Sequence, residues 1–192
     1  MKNEDIRRRL INGTIFVIAH DGLDKASTKQ IGLAASVNEV YIYRCFKDKA
    51  DMFSKAFAAI DDELVSKALL HVPVMYIKEM DCELRCRAFF MSIWNYLIEN
   101  RDKCFAYLRY YYSTYFTKYS ADEHKARFEP LVKEFRPAFK YEADVWMIIN
   151  HILNVMFDFA AKVHTDQMRS DDDYTEHVFR VIYHSIEQYF KK

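Results

Sequence analysis

The 192-residue chain is poor in the residues that interrupt helices, with three glycines and three prolines. Folds made of many short strands and tight turns need far more of both, so their scarcity points to helices. Cysteine is scarce too. Cys45, Cys82, Cys86 and Cys104 show neither a disulfide framework nor the spacing of a zinc site. No run of about 18 uncharged apolar residues occurs, and the opening Met1-Lys2-Asn3-Glu4-Asp5 lacks the apolar stretch of a signal peptide. Net charge is absent, 28 Lys and Arg matching 28 Asp and Glu, which excludes a uniformly basic nucleic-acid binder but not a local basic patch. Nor is there a G-x-S-x-G, Walker A, H-E-x-x-H or dinucleotide fingerprint. What the chain does have is 51% apolar residues, enough to fill a core. The sequence therefore reads as a soluble, cytoplasmic, all-α protein, either one domain or a small module joined to a larger one. No cofactor and no catalytic site are called for.

The zero net charge is split unevenly. Residues 1–50 hold nine basic and six acidic groups, so they carry +3 and the rest of the chain −3. That sign suits an N-terminal module that meets phosphates. Aromatic residues are uneven as well, with twelve of the 31 between Phe89 and Tyr119 and seven of those from Tyr107 to Tyr119.

Local signals divide the N-terminal stretch into helices. The first runs from Glu4 to about Asp21, acidic in its first turn, with Gly22 placed for a left-handed stop. Ser27-Thr28-Lys29-Gln30 is an S-x-x-Q capping box that opens a short helix through Ile31, Ala34 and Ala35. After a break at Ser36-Val37, Asn38 caps a third short helix carrying Glu39 to Phe46. Asp48 then caps a long fourth helix with Met52, Phe53, Ala56, Phe57 and Ile60 on one stripe. Two short helices joined by a three- or four-residue turn form a helix-turn-helix unit, whose second helix can enter a major groove. A helical hairpin that only packs has the same spacing.

The stretch from Ala26 to Lys49, A-S-T-K-Q-I-G-L-A-A-S-V-N-E-V-Y-I-Y-R-C-F-K-D-K, resembles the DNA-binding signature of TetR-type repressors. That family shows a Thr-rich entry, an I-A-x-x-A-G-V-S core, then L-Y-x-Y-F and a nearby Lys. The resemblance covers Ile6 to Met52. It implies an N-terminal three-helix DNA-binding bundle with a helix-turn-helix, residues 1–50, and a larger helical domain for ligand binding and dimerisation, residues 51–192. It also implies phosphate contacts from Thr28, Tyr43 and Lys49, groove contacts from Asn38, Glu39, Val40 and Tyr41, and a phosphate or base contact from Arg44. Hydroxyls, phenols and ammonium groups are suitable phosphate donors. Ile42 and Phe46 read as core. The chain departs from the family in having Ser36 at the turn glycine, Cys45 for an aromatic and Gly13 inside the first helix, a cost of up to about 1 kcal/mol. Glu39 places a negative charge near the groove, where it either accepts from cytosine N4 or weakens binding.

Beyond residue 70, Pro73 interrupts or follows the fourth helix, and helical patterns run over 79–99, 101–118, 121–135, 141–164 and 171–190. Pro130 and Pro137 punctuate the third of these. The segment Val145 to Phe157, V-W-M-I-I-N-H-I-L-N-V-M-F, reads as apolar nearly all round, which requires burial on two sides. A partner copy would supply one of them. Helices near 141–164 and 171–190 then form a four-helix homodimer interface, as in the family. The aromatic cluster reads either as packed core or as the wall of a ligand cavity made by Trp94, Tyr107, Tyr110, Tyr111, Phe128, Trp146 and Met147, with Asn150 as polar anchor. Such a wall favours flat, apolar or cationic small molecules. Cys82 and Cys86, one helical turn apart, read as ordinary thiols, and His151, His177 and His184 as interface packing. The sequence thus points to a ligand-responsive transcriptional repressor that binds a palindromic operator on double-stranded DNA as a homodimer and is released by an aromatic or apolar inducer. A small-molecule-binding helical dimer with a degenerate DNA-binding module is the alternative.

Overall fold

A computed structural model describes residues 3–191; Met1, Lys2 and Lys192 lie outside the described residues. Among the described residues the chain is helical and has no strand, only an isolated antiparallel bridge between Phe139 and Phe190. It forms two compact units. The first takes residues 1–62 and 101–124, the second 63–100 and 125–192. The boundary at residue 62 falls within a single helix.

The first unit opens with α1 (Asn3–Asp21), which ends at Gly22 in the left-handed conformation, φ +84°, that glycine adopts without strain. α2 (Thr28–Ala35) starts with the reciprocal capping box of Ser27 and Gln30. A 3-10 turn (Glu39–Tyr41), capped by the Asn38 side chain on Val40 N–H, leads into the single turn of α3 (Ile42–Cys45). Asp48 caps α4 (Lys49–His71) by accepting from Asp51 N–H at 2.8 Å. α6 (Arg101–Tyr111) and α7 (Thr114–Tyr119) complete the unit with the first turn of α8 (Ala121–Phe135). The helix expected over 101–118 is two, because Ser113 stops one and caps the next through Phe116 N–H.

Gly13 is not the defect that helix propensity suggests. A Cβ there would lie 2.9 Å from Ala35 N and 3.0 Å from Ile31 O, so the missing side chain is what lets α1 and α2 cross. Gly32, within α2, makes room for the turn in the same way, since a Cβ there would meet Val37 O at 2.8 Å.

The second unit holds the end of α4, a 3-10 segment (Val72–Tyr76) with Pro73 in its first turn, α5 (Cys82–Glu99), the rest of α8, α9 (Val145–His164) and α10 (Asp172–Ile186). Asp81, Asp144 and Asp171 cap α5, α9 and α10. Pro130 lies inside α8 rather than ending it. α10 buries Val178, Ile182 and Ile186.

α9 buries one side of its apolar run in its own unit, and the other side, which the sequence reading gives to a partner copy, is open. It buries Ile148, Ile149, Leu153, Met156, Phe157 and Ala160 in its own unit while Met147, His151 and Asp158 are exposed. Those three share one face at intervals of four and seven residues, a period that the apolar run masks.

Candidate functional site

The helix-turn-helix is fixed from beneath by Ile31, Ile42 and Phe46, all buried. Its turn passes through Ser36 at φ 51°, ψ 45°, a left-handed conformation in a residue that carries a Cβ. Arg9 donates to the Ser36 carbonyl at 2.9 Å, and Val37 N–H bonds Gly32 O at 2.9 Å. These contacts set the angle at which the 3-10 turn and α3 leave α2.

The same local structure places the eight residues expected to touch DNA. Asn38, Glu39, Val40, Tyr43 and Arg44 are exposed, and Thr28, Tyr41 and Lys49 half-buried. Tyr43 is 65% exposed, and its hydroxyl has no hydrogen-bond partner among the described residues. The Arg44 guanidinium lies over the Tyr41 ring at 5.1 Å, and Lys49 Nζ lies 5.3 Å from the Phe53 ring centroid at the start of α4. Phenol, guanidinium and ammonium thus stand on one short stretch of backbone, the donor set that phosphate oxygens accept. Asn38 is engaged in capping. Glu39 is engaged at the surface: its carboxylate accepts from the Thr28 hydroxyl at 3.4 Å, which ties the turn to the start of α2. Sequence reasoning missed that pairing and the role of Arg9, since neither has a local signature.

The residues named for a ligand cavity separate. Tyr107 and Tyr110 are buried and Tyr111 half-buried in the first unit, where Phe57 of α4 lies between the rings of Tyr107 and Tyr110 with centroids 4.9 and 4.8 Å away. Beneath them His124 Nδ1 and the Asp61 carboxylate are 2.9 Å apart with both side chains sealed from solvent. Ser120 joins the Tyr110 hydroxyl at 2.9 Å to Ser54 at 2.8 Å. Burial, with the Asp61 charge next, pushes the Tyr107 phenol well above its ordinary range. This cluster is packed core.

The cavity lies in the second unit, with a volume of about 90 Å³. α4 contributes Leu64 and Ala68 to its wall, α5 Cys86, Phe89, Phe90 and Ile93, and α8 Phe128, Leu131 and Phe135. α9 adds Ile148, Ile149, Ile152, Leu153 and Met156, and α10 Phe179, Ile182, Tyr183 and Ile186. Of the eight residues expected, Phe128 alone is on this wall. Trp94 and Trp146 pack behind it, against Phe90 and Phe128 at 5.7 and 5.9 Å, and Met147 is 55% exposed. Asn150 is half-buried on α9, off the wall. The aliphatic residues that form the wall have ordinary core spacing, so no sequence signal separates them from core.

Residues 10–56 match the family model of bacterial regulatory proteins, tetR family. No curated protein matches the sequence. Among solved structures, a TetR family transcription regulator from Marinobacter aquaeolei VT8 superposes with a TM-score of 0.78 at 13% identity, over 98% of this chain and 97% of that one. The fatty acid degradation regulator FadR from Bacillus halodurans does so with a TM-score of 0.71 at 17% identity, over 92% and 94%. A putative transcriptional regulator of the TetR family from Vibrio parahaemolyticus gives 0.69 at 18% identity, over 97% and 100%. Fold and N-terminal module are those seen in DNA-binding transcription regulators. Residues 10–56 thus resemble that family's N-terminal module, and nearly the whole chain shares the fold of these solved regulators. No described helix is long and apolar enough to cross a membrane.

Proposed function

We propose that the chain is a ligand-responsive repressor that binds a two-fold-symmetric operator as a homodimer and leaves it when a small molecule fills the apolar cavity. Residues 1–50 read the DNA in this proposal, and 51–192 hold the ligand and the partner copy. The observation that carries the reading is the course of α4. It starts at Lys49, beside the exposed Tyr43 and Arg44, and further along it supplies Leu64 and Ala68 to the cavity wall. A helix is stiff over this length, so a ligand that displaces Leu64 or Ala68 biases the position of Lys49. The operator affinity then falls by the ligand's differential binding to the two arrangements and by no more. Phosphate contacts fall to Thr28, Tyr43, Arg44 and Lys49, and groove contacts to Asn38, Glu39, Val40 and Tyr41.

The pairing of Glu39 with Thr28 favours a second reading, a dimer whose module has lost sequence recognition. One of the expected phosphate donors is already engaged by a carboxylate. Selection from a random duplex library at about 150 mM salt, where non-specific phosphate attraction is weakened, separates the two. Wild type enriches a palindrome and a Tyr43→Ala, Lys49→Ala variant enriches nothing. If wild type, unfolded and refolded to remove carried-over ligand, also enriches nothing, the repressor reading fails. Glu39→Ala belongs in the same selection: loss of preference at one cytosine position means that the carboxylate reads a base, and tighter binding with the preference unchanged means that it only opposes phosphate.

A further inference from the structure

α5 opens with two thiols on one face. Cys82 is its first residue and Cys86 stands one turn on, a spacing that sets side chains next to each other on a helix. Both are half-buried. The Cys86 thiol donates a hydrogen bond to the Cys82 sulfur, so the two sulfurs are in contact. Tyr183 of α10 stands beside both, and Cys86 borders the apolar cavity. Cys45 and Cys104 belong to the other unit.

Three kinds of chemistry use such a pair, and the local geometry separates them. A disulfide needs Cβ atoms about 3.5–4.5 Å apart, whereas a helix holds those of residues i and i+4 at about 5–6 Å, so closing one requires α5 to unwind. Zinc and similar ions take three or four side-chain ligands. Among the described residues no three of His, Cys, Asp and Glu gather into a group that could hold a metal ion. A centre that takes two sulfurs and brings its remaining bond with it meets neither obstacle.

We infer that Cys82 and Cys86 form a two-sulfur clip for trivalent arsenic that carries one organic substituent. Arsenic in this state is pyramidal, so it sits above two touching sulfurs rather than in line between them. The arsenical arrives as its neutral dihydroxy form. Each As–O bond breaks as an As–S bond forms, and each hydroxyl leaves as water with the proton of one thiol. Nothing is oxidised or reduced, and the adduct is neutral. That suits the surroundings of Cys86, whose thiol is pushed up by burial and then by the neighbouring Cys82. A thiolate left there would be poorly solvated, whereas the adduct leaves no charge behind. The inference does not rest on the repressor reading.

Phenylarsine oxide, added to the full chain and followed by intact-mass spectrometry, tests it. One phenylarsenic unit adds with loss of two hydrogens from the protein. The adduct withstands excess glutathione, a single thiol, and yields to the dithiol 2,3-dimercaptopropanol. Cys82→Ser and Cys86→Ser, folded with wild-type helical content, each weaken retention at least about 100-fold, because a linked second ligand contributes about 10²–10⁴. A Cys45→Ser, Cys104→Ala variant keeps the clip and retains the unit as wild type does. The adduct leaves the urea midpoint at or above that of the free protein, while a Cys82–Cys86 disulfide formed with diamide lowers it, since α5 must unwind. Loss of the unit to glutathione overturns the inference, as does either single clip variant that holds it like wild type. A disulfide that raises the midpoint also overturns it, because the pair is then preset for redox chemistry rather than for a bridging atom.

Discussion

Ser36 holds a left-handed backbone, φ 51°, in the turn on which the recognition segment depends. For a residue with a Cβ that conformation costs about 1–2 kcal/mol. The surrounding bonds hold it there: Ser36 N–H to Leu33 O at 3.0 Å, Val37 N–H to Gly32 O at 2.9 Å, and Arg9 to the Ser36 carbonyl. Ser36→Gly relieves the strain while freeing the unfolded chain, for a net gain of about 0.5–1 kcal/mol. A higher urea midpoint at unchanged slope would record that gain. A midpoint equal to or below wild type means that the turn is not strained. The same residue shows what the sequence reveals at this scale. The departure from glycine was visible there, and so were the capping box and the Gly22 stop, because each is local chemistry. Gly13 was misjudged, because its reason is the backbone of another helix 2.9 Å away.

At the scale of elements, the tyrosine-rich α6 joins the core of the first unit, with Tyr107 set deepest. Its hydroxyl keeps its proton past the usual range through burial and the charge of Asp61. In the unfolded chain it ionises near its ordinary value of about 10. Above that pH the unfolded state has lost a proton that the folded state keeps, so stability falls by up to about 1.4 kcal/mol per pH unit; below it there is no dependence from this group. Tyr107→Phe therefore narrows the difference between urea midpoints at about pH 9 and pH 11. Tyr96 and Tyr110, also raised chiefly by burial, retain part of the slope. A difference unchanged in the variant rules out Tyr107 as a source of alkaline instability. The sequence showed that the stretch from Tyr107 to Tyr119 is rich in aromatic residues but not what they meet. Packing against Phe57 makes Tyr107 and Tyr110 core, while the cavity forms where Ile, Leu and Phe stripes of five helices fail to close completely. No residue in those stripes looks unusual, which is why Phe128 alone was anticipated.

At the scale of the whole molecule, a net charge of zero conceals +3 in residues 1–50 and −3 in the rest, so the attraction for DNA belongs to the N-terminal module. In the proposed homodimer each module covers one half-site. The proposed interface is the outer side of α9 and α10, where Met147, His151, His177, Val181 and His184 are exposed and His151 Nε2 stands 3.1 Å from Ser185 Oγ. Val181 is 56% exposed between two turns that bury their other side, so a charge there leaves the protomer core alone. In a self-complementary interface the residue meets its own surroundings twice, and Val181→Glu buries two carboxylates for each dimer. The expected outcome is a folded monomer by sedimentation equilibrium, with wild-type helical content. Two linked half-sites gain about 10²–10⁴ over one, so operator affinity falls by that range while the weak, salt-sensitive binding to a single half-site persists. A variant that stays dimeric and binds the operator as before moves the interface to another face. If it becomes monomeric with operator affinity unchanged, the two-fold mode of recognition is wrong.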